Sequence, residues 1–345
     1  MAETGSHDLQ HIDFDQYARM ALCHQPTPIE AMVRLSEHLG GPSLFIKRDD
    51  CTGLATGGNK TRKLEFLVGE ALSEHADMLV TQGAVQSNHV RQTAAAACRA
   101  GLKCHALLER RVPDRDAAYE DTGNVFLDKV FGATLEFRPG GLDMNAEAMA
   151  VTEKLRAEGH RPYFIPGGGS NATGALGYAS CAQEISMQAQ ATGQTFHWLV
   201  MATGSTGTQA GLVAGFHAIG ADLPVMGVSV RQPRERQVDA VHGLTKKTLE
   251  KLNAPTIAAS KILVDDGYVG EGYGIPAPST LEAISKAARF EGILLDPVYS
   301  GKGMAGLIGL IRQGFFKATD NVLFLHTGGS AALFAYEDAI LTSSA

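Results

Sequence analysis

Short apolar runs alternate along the chain with longer stretches whose apolar residues recur at helical spacing. The short runs predict buried strands, and the longer stretches predict amphipathic helices. Predicted strands are 43–47, 78–81, 102–108, 134–138, 162–165, 197–201, 225–230 and 322–326. Predicted helices are 29–38, 64–74, 90–100, 122–130, 144–158, 173–189, 209–219 and three further stretches that end at 252, 290 and 313. This alternation is typical of an α/β fold in which crossover helices join parallel strands.

Length and composition limit the possible classes of protein. A chain of 345 residues is large for one domain, so we expect two α/β lobes. The 37 acidic and 30 basic side chains are mixed along the chain, with a net charge of -7, which argues against a nucleic-acid-binding surface. No run reaches the roughly 20 apolar residues that span a bilayer, and residues 1–20 lack a signal-like apolar segment, so we expect a cytoplasmic protein without membrane contact. Five cysteines without Cys-x-x-Cys spacing predict neither disulfides nor a bound metal.

A glycine-rich loop leads into one of the predicted helices. Residues 51–65 have the sequence CTGLATGGNKTRKLE, with Lys60 at the junction of the loop and the helical pattern. Unpaired backbone N–H groups and the positive end of the helix dipole lie near such a junction, and both lower the pKa of an ammonium group. A lysine with a lowered pKa is a nucleophile toward a carbonyl group. The alternative interpretation is a solvated lysine after an ordinary turn.

Two further glycine-rich loops each lie between a predicted strand and a predicted helix. They are 166–171 (PGGGSN) and 203–208 (TGSTGT). Backbone N–H groups and hydroxyls in such a loop can bind an anion. The spacing in 203–208 matches neither a nucleoside-triphosphate loop nor a dinucleotide loop, so this loop is either a site for a single phosphate or a turn required by packing. A phosphate site together with a nucleophilic lysine is what pyridoxal 5′-phosphate requires.

Seven motifs occur in order between residues 26 and 336. They are 57–65 (GGNKTRKLE), 86–89 (QSNH), 167–171 (GGGSN), 203–208 (TGSTGT), 272–274 (GYG), 296–299 (DPVY) and 326–329 (HTGG). This set resembles the D-cysteine desulfhydrase and 1-aminocyclopropane-1-carboxylate (ACC) deaminase family. The resemblance implies the two-domain tryptophan-synthase-β-like fold of type II pyridoxal-phosphate enzymes, an α/β fold with parallel-rich open twisted sheets and helices on both faces. It further implies a large cofactor-binding domain at 1–60 and 178–345, a small domain at 61–177, and a homodimer.

The resemblance also implies roles for individual residues. Lys60 would form the Schiff base with pyridoxal 5′-phosphate and carry the proton at Cα of an amino-acid substrate. Asn88 would bind the 3′-oxygen of the cofactor ring. The phosphate would be held by Gly204, Ser205, Thr206, Gly207 and Thr208. The substrate would be bound by Ser87, Asn88, His89, Tyr273 and Tyr299, and of these Ser87 and the two tyrosines would also be catalytic. Taken alone, each tyrosine fits a packed core position better than a catalytic one.

Two positions distinguish members of the family. Where the ACC deaminase pattern has a glutamate and a leucine, this chain has Ser300 and Thr327. A hydroxyl beside the pyridine nitrogen of the cofactor would leave that nitrogen unprotonated, whereas a carboxylate would keep it protonated. A cofactor ring with an unprotonated nitrogen delocalises a carbanion at Cα less strongly. This weaker delocalisation is sufficient when a good leaving group departs from Cβ. The two residues therefore predict β-elimination, which gives pyruvate and ammonia.

The leaving group has two interpretations. Segments 140–147, 167–177, 230–233 and 269–274 resemble L-cysteate sulfo-lyase, a branch of the family that expels sulfite, more than D-cysteine desulfhydrase. The sequence therefore favours L-cysteate, with D-cysteine as the alternative and ACC less favoured. Arg231, at the end of a predicted strand, fits either a sulfonate contact or an ion pair between domains.

Two other classes of protein have less support. A nucleotide-binding module without catalysis would also use glycine-rich loops, but it would have no need for Lys60. A metal-dependent lyase is disfavoured because His89, His326 and the acidic residues lack the spacing of metal ligands.

Overall fold

The computed structural model describes residues 9–113, 115 and 117–342. The strands are β1 (Ile29–Ala31), β2 (Ser43–Lys47), β3 (Met78–Ala84), β4 (Lys103–Arg110), β5 (Thr134–Pro139), β6 (Pro162–Ile165), β7 (Trp198–Thr203), β8 (Val225–Ser229), β9 (Leu263–Asp265) and β10 (Asn321–Leu325). The helices are α1 (Val33–Leu39), α2 (Lys60–Ser73), α3 (Asn88–Ala100), α4 (Gly123–Val130), α5 (Met144–Ala157), α6 (Ala172–Thr192), α7 (Gly207–Ala218), α8 (Arg234–Lys251), α9 (Pro278–Glu291), α10 (Ser300–Arg312) and α11 (Glu337–Thr342). Within these residues no helix has the length and apolar character needed to cross a membrane.

The strands form two sheets. The larger sheet has the order β1-β2-β10-β7-β8-β9, and the smaller sheet has the order β5-β4-β3-β6. Every strand pair is parallel except that of β1 with β2, so the predicted α/β fold with parallel strands is confirmed. The smaller sheet lies entirely within residues 78–165, and the strands of the larger sheet lie outside that range. The division into domains at 1–60 with 178–345 and at 61–177 stays a prediction.

Three elements differ from the sequence pattern, and one of them is α11, a helix that was not predicted. The predicted helix at 29–38 is wrong at its beginning, because Ile29–Ala31 pairs antiparallel with residues 45–47 and the helix begins only at Val33. Pairing with a neighbouring strand here overrides the local pattern. Strand β9 was not predicted, since its three residues include a single buried position and therefore show no periodicity.

Helices cover both faces of the larger sheet, and its central strands are buried on both sides. Along β10, Val322 and Phe324 pack with residues of α9 and α10, whereas Leu323 and Leu325 pack on the opposite face with residues of α6 and α7. A strand that is buried on both faces has a continuous apolar sequence rather than an alternating one. This packing explains why the strands appear in the sequence as unbroken apolar runs.

A buried network of charges attaches α2 to the larger sheet and to α6. The guanidinium of Arg62 donates to the carboxylate of Asp49 at 2.8 and 2.9 Å and to that of Glu184 at 3.0 and 2.8 Å. Asp49 also accepts a hydrogen bond of 2.6 Å from Tyr178 Oη, and Glu184 forms an ion pair with Lys47. Arg62 and Asp49 have no solvent exposure. The network therefore fixes the first turn of α2 relative to the rest of the protein.

Loss of Arg62 is expected to destabilise the fold. An Arg62→Met variant leaves Asp49 and Glu184 short of positive charge in a buried position, which typically costs about 3–5 kcal/mol. Urea unfolding should show a large decrease in the midpoint. Arg48→Met is the matched control, because Arg48 pairs with Glu30 and Asp50 at a partly exposed site, where such pairs contribute about 0–1 kcal/mol. Equal shifts for the two variants would contradict a dominant role for the buried network.

Candidate active site

A cavity of about 230 Å³ opens at the carboxyl ends of strands from both sheets. Ligands bind at this edge in open parallel sheets. All but two of the predicted site residues line it. Those on the wall are Lys60, Ser87, Asn88, His89, Gly204, Ser205, Thr206, Thr208, Tyr273, Tyr299 and Thr327. The fold therefore brings together segments that are far apart in the sequence.

Lys60 is the first residue of α2, and its half-buried side chain enters the cavity. Lys60 Nζ donates a hydrogen bond of 3.3 Å to Ser205 Oγ, in the predicted phosphate loop. Burial lowers the pKa of Lys60 to about 8, because the charged amine loses hydration. The predicted lowering of the pKa is confirmed, although burial rather than the helix terminus is its main cause.

The predicted phosphate loop follows β7 and leads into α7, where backbone N–H groups are available to an anion. It is packed tightly against the other glycine-rich loop. A Cβ atom on Gly207 would lie 2.9 Å from both Lys63 Nζ and Ser170 Oγ, and a Cβ atom on Gly168 would lie 2.5 Å from the side chain of Ser205. Glycine is therefore required at 168, where φ is also +69°, whereas a side chain at 207 would displace the Lys63 amine and the Ser170 hydroxyl.

Asn59 connects the lysine loop to two other parts of the wall. Its Nδ2 donates to Thr208 Oγ1 at 2.9 Å, and its backbone N–H donates to the carbonyl of Thr327 at 3.0 Å. Asn59 is the residue before Lys60, so these hydrogen bonds position Lys60 relative to the predicted phosphate loop and to Thr327, which follows β10.

A second lysine lies beside the phosphate loop. Lys63 is buried, and its Nζ donates to the carbonyl of Gly168 at 3.1 Å. Burial and then the charge of Lys60 lower the pKa of Lys63 well below its usual value. Residues three apart lie on the same face of a helix, so the Lys60-x-x-Lys63 spacing was a usable signal that the sequence analysis missed.

Several buried polar atoms on the wall have no hydrogen-bond partner among the described residues. They include Gln82 Oε1, Asn88 Nδ2, His89 Nδ1 and Tyr299 Oη. Unpartnered buried polar atoms are uncommon in folded proteins, because each loses the hydrogen bonds that it made with water. Their convergence on one cavity indicates that the cavity is complementary to a polar ligand.

Arg91 fixes the orientation of Asn88. This buried guanidinium donates to Asn88 Oδ1 at 3.0 Å and to the carbonyl of Gly57 at 2.7 Å. Because Asn88 Oδ1 already accepts from Arg91, Asn88 Nδ2 remains to donate to a ligand. This arrangement fits an anionic oxygen such as the 3′-oxygen of pyridoxal phosphate. Gly57 belongs to the lysine loop, so Arg91 also positions that loop relative to Asn88.

His89 is a neutral hydrogen-bond acceptor in the cavity. Thr81 Oγ1 donates its single proton to the carbonyl of Ile165 at 2.8 Å. The Thr81 hydroxyl must therefore accept in its other hydrogen bond, which joins it to His89 Nε2 at 2.8 Å. The proton of the imidazole is therefore on Nε2, and Nδ1 is free to accept. Burial and the charges of Lys60 and Lys63 lower the pKa of His89 well below its usual value. In this state His89 can accept a hydrogen bond from a ligand.

Ser300 and Gly207 are the two predicted site residues that do not line the cavity. Ser300 is buried, and its hydroxyl donates to Asp296 Oδ1 at 2.5 Å while accepting from the Asp296 backbone at 2.8 Å. The Gly207 N–H donates to the carbonyl of Ser205 at 2.8 Å. The contact of these two residues with a cofactor stays a prediction, and Thr327 is the neutral hydroxyl that reaches the wall.

The wall also contains polar residues that the sequence analysis missed. Gln82 lies near the carboxyl end of β3 and Arg111 follows β4, so their positions on parallel strands were a usable signal. Asn145 Oδ1 accepts from Gln82 Nε2 at 2.9 Å, and no local pattern marks Asn145 as a site residue. Within the described ranges, no group of three or more His, Cys, Asp and Glu residues is placed to hold a metal ion.

Comparison with known proteins agrees with this geometry. A family model described as pyridoxal-phosphate dependent enzyme matches residues 20–328. The chain is 46% identical over 321 residues to a D-cysteine desulfhydrase of Klebsiella pneumoniae subsp. pneumoniae, covering 93% of this chain and 97% of that protein. It is also similar to the crystal structure of an ACC deaminase homologue, with a TM-score of 0.86, 36% identity, and coverage of 95% of this chain and 97% of the other.

A more distant structure shares the fold alone. The processed form of threonine deaminase isoform 2 from Solanum lycopersicum has a TM-score of 0.66 at 16% identity, with 92% of this chain and 83% of that chain covered. The predicted type II fold is confirmed by this similarity together with the family match.

The lowered pKa of Lys60 predicts how cofactor capture depends on pH. When cofactor-free protein is mixed with pyridoxal 5′-phosphate, the rate at which visible absorbance appears should rise about tenfold per pH unit at low pH, because the neutral amine attacks the aldehyde. The rise should end near pH 8, the pKa of Lys60, rather than near the usual 10.5. Lys60→Ala is the control and should give no such band. A plateau reached only near pH 10.5 would contradict the assignment.

The role of Arg91 predicts a defect in cofactor binding. In Arg91→Lys, a single ammonium cannot make the two divergent hydrogen bonds to Asn88 and Gly57, and loss of one such bond should weaken cofactor binding by about tenfold. Absorbance titration with pyridoxal 5′-phosphate measures this. Arg99→Lys, an exposed position in the last turn of the same helix, is the matched control. Equal affinity in the two variants would show that Arg91 does not orient Asn88.

Proposed function

Since the chain belongs to the D-cysteine desulfhydrase and ACC deaminase family of pyridoxal-phosphate-dependent enzymes, we propose that it is a β-eliminating carbon–sulfur lyase acting on a small cysteine-like amino acid. Pyridoxal 5′-phosphate, predicted from the sequence, is confirmed as the cofactor by the family match. The observation that carries the proposal is the position of Lys60 Nζ, 3.3 Å from Ser205 Oγ, with a pKa lowered to about 8.

The wall has a residue for each polar part of the cofactor. The loop Gly204–Thr208 and Lys63 would hold the phosphate, Asn88 Nδ2 would donate to the 3′-oxygen, and Lys60 would bind the aldehyde carbon. Thr327 would lie beside the ring nitrogen as a neutral group. When bound, the cofactor withdraws electron density from Cα of the amino acid, so that the Cα proton becomes acidic.

Lys60 is the base that would move this proton. Its pKa of about 8 lies close to neutral pH, where a general base is most efficient. Ser87 and Asn88 begin helix α3, where a carboxylate is stabilised by the free N–H groups of the first turn. They would therefore bind the α-carboxylate of the substrate in the cavity that Lys60 lines.

The two tyrosines would act as neutral hydrogen-bond donors. Burial raises the pKa of Tyr273 to about 12 and that of Tyr299 well above its usual value. Both phenols are therefore protonated at neutral pH. Tyr299 Oη has no partner among the described residues, so it is free to donate to a substrate or to a departing group. Neither phenol is suited to act as a base.

The charge on the wall supports elimination rather than ring opening. Among the described residues that line the cavity none is acidic, so no carboxylate is available there to keep the ring nitrogen protonated. A neutral neighbour such as Thr327 gives a weaker electron sink, which is adequate when sulfur leaves from Cβ. This supports β-elimination from a sulfur-bearing amino acid over cleavage of ACC.

D-cysteine is the leading candidate substrate. The 46% identical relative, which this chain matches over 97% of its length, is a D-cysteine desulfhydrase. This similarity supports the alternative interpretation of the sequence over its first choice, L-cysteate. The products from D-cysteine would be pyruvate, sulfide and ammonia.

L-cysteate is the second candidate, with pyruvate, sulfite and ammonia as products. The observation in its favour is that three basic side chains, Lys60, Arg111 and Arg231, line the cavity. A thiol substrate has no evident use for so much positive charge. A homodimer and a cytoplasmic location remain proposals carried over from the sequence.

Incubation with three separate substrates tests the function. The holoenzyme should release pyruvate and ammonia with sulfide from D-cysteine, or with sulfite from L-cysteate, and should give little 2-oxobutyrate from ACC. Lys60→Ala should lower turnover by at least about a hundredfold, since it lacks the base, whereas Lys247→Ala, at an exposed position on α8, should not change it. Formation of 2-oxobutyrate alone, or of no keto acid from any substrate, would refute the proposal.

A further inference from the structure

Two arginines enter the cavity from different sheets. Arg111 follows β4 of the smaller sheet, and Arg231 follows β8 of the larger sheet. The guanidinium carbon of Arg111 lies 5.7 Å from the centroid of the Tyr273 ring, which is also part of the wall. Arg231 lines the same cavity as Tyr273, and the charge of Arg111 acts on it. Both arginines therefore belong to the end of the cavity that contains Tyr273.

The positive charge of this pair is only partly compensated. Arg111 forms an ion pair with Glu109, whereas Arg231, whose exposed side chain also lines the cavity, has no hydrogen bond or ion pair with any residue that the structure describes. Burial and then the charge of Arg111 lower the pKa of Arg231, whereas the charge of Glu109 raises it, so the repulsion between the two guanidinium groups is offset in part. An anion between them would remove this repulsion.

The other anionic groups expected in the cavity already have binding residues. The cofactor phosphate has the loop Gly204–Thr208 and Lys63, and the α-carboxylate of the substrate has the beginning of α3. The two arginines remain as an additional positive site. A guanidinium donates two parallel hydrogen bonds, which matches a group with several oxygens better than it matches a thiol.

We propose that Arg111 and Arg231 form a subsite for an anionic group on Cβ of the substrate, with a sulfonate as the fitting chemistry. The proposal rests on the proposed function, because it places this group in the cavity that holds Lys60 and the amino acid. It names a second substrate class beside D-cysteine, amino acids with a negatively charged leaving group, of which L-cysteate is the simplest with sulfur.

The subsite would contribute to the chemical step as well as to binding. The Cα proton moves to Lys60, the electron pair of the Cα–H bond forms the second bond between Cα and Cβ, and the pair of the C–S bond leaves with sulfur as sulfite. Water then supplies the carbonyl oxygen of pyruvate, and the nitrogen leaves as ammonium, so no external oxidant or reductant is needed. The sulfonate carries one negative charge and the departing sulfite carries two. Fixed guanidinium groups stabilise this additional charge as it develops.

Substitution of Arg231 tests the subsite, because this residue has no protein partner that its loss would leave unpaired. In the Arg231→Met holoenzyme, the ratio of kcat/KM for L-cysteate to kcat/KM for D-cysteine should fall by about 10- to 100-fold, as expected for loss of a charged hydrogen bond. Arg231→Lys should restore part of the ratio. The matched control is Arg234→Met, which removes an exposed arginine that does not line the cavity and lies 3.9 Å from Asp266.

The outcomes separate this proposal from others. An unchanged ratio in Arg231→Met would overturn it. An equal loss of kcat/KM for both substrates would also overturn it. Absorbance titration with pyridoxal 5′-phosphate would then locate Arg231. A fall in cofactor affinity would place it at the phosphate, and an unchanged affinity would place it at the α-carboxylate. A wild-type enzyme that converts D-cysteine but neither converts nor is inhibited by L-cysteate would refute the subsite alone. Failure to form pyruvate from either substrate would refute the proposed function itself.

Discussion

The buried contact of Arg62 with Asp49 and Glu184 determines where the reactive lysine lies. Arg62 is two residues after Lys60 in the first turn of α2, Asp49 follows strand β2, and Glu184 lies on α6. The same guanidinium therefore holds the helix that begins at Lys60 against the larger sheet and against the helix that precedes β7. The hydrogen bond from Asn59 to Thr208 then joins the beginning of this helix to the phosphate loop. A buried ion pair of this kind is weak as a source of stability, but it specifies one geometry.

The same network separates the charges on the two sides of α2. The acidic groups, Asp49 and Glu184, pair with Arg62 and Lys47 on the side away from the cavity. Lys60 and Lys63 are left on the other side without an acidic partner among the described residues, and burial then lowers both of their pKa values. The protein thus brings the pKa of Lys60 to about 8, nearer to neutral pH, without a neighbouring base. The binding of an anionic cofactor at Gly204–Thr208 would bring negative charge close to Lys60 and Lys63. Cofactor binding is therefore coupled to the charge state of these two lysines.

The sequence predicted the parts of the site that carry a local signature. Lys60 and the loop at 203–208 are recognisable from the local sequence. Glycine and hydroxyl residues between a strand and a helix indicate an anion site, and a lysine at the beginning of a helix indicates a lowered pKa. Asn145 has no such signature, since it reaches the cavity only through the packing of α5 on the smaller sheet. The role of Arg91 likewise depends on two acceptors, Asn88 and Gly57, that only the fold brings together. Ser300 differs again, because its motif predicts a cofactor contact that stays a prediction, whereas the hydrogen bond of its hydroxyl to Asp296 is visible only in the fold.

The central claim is that the cofactor is attached to Lys60 and to no other amine, although Lys63 lies one turn away in the same cavity region. Reduction of the holoenzyme with sodium borohydride makes the link between the lysine and the cofactor permanent, and proteolysis with mass spectrometry then locates it. The account predicts a single pyridoxyl adduct, on Lys60. An adduct on Lys63, or the absence of an adduct from protein that retains the cofactor, would contradict it.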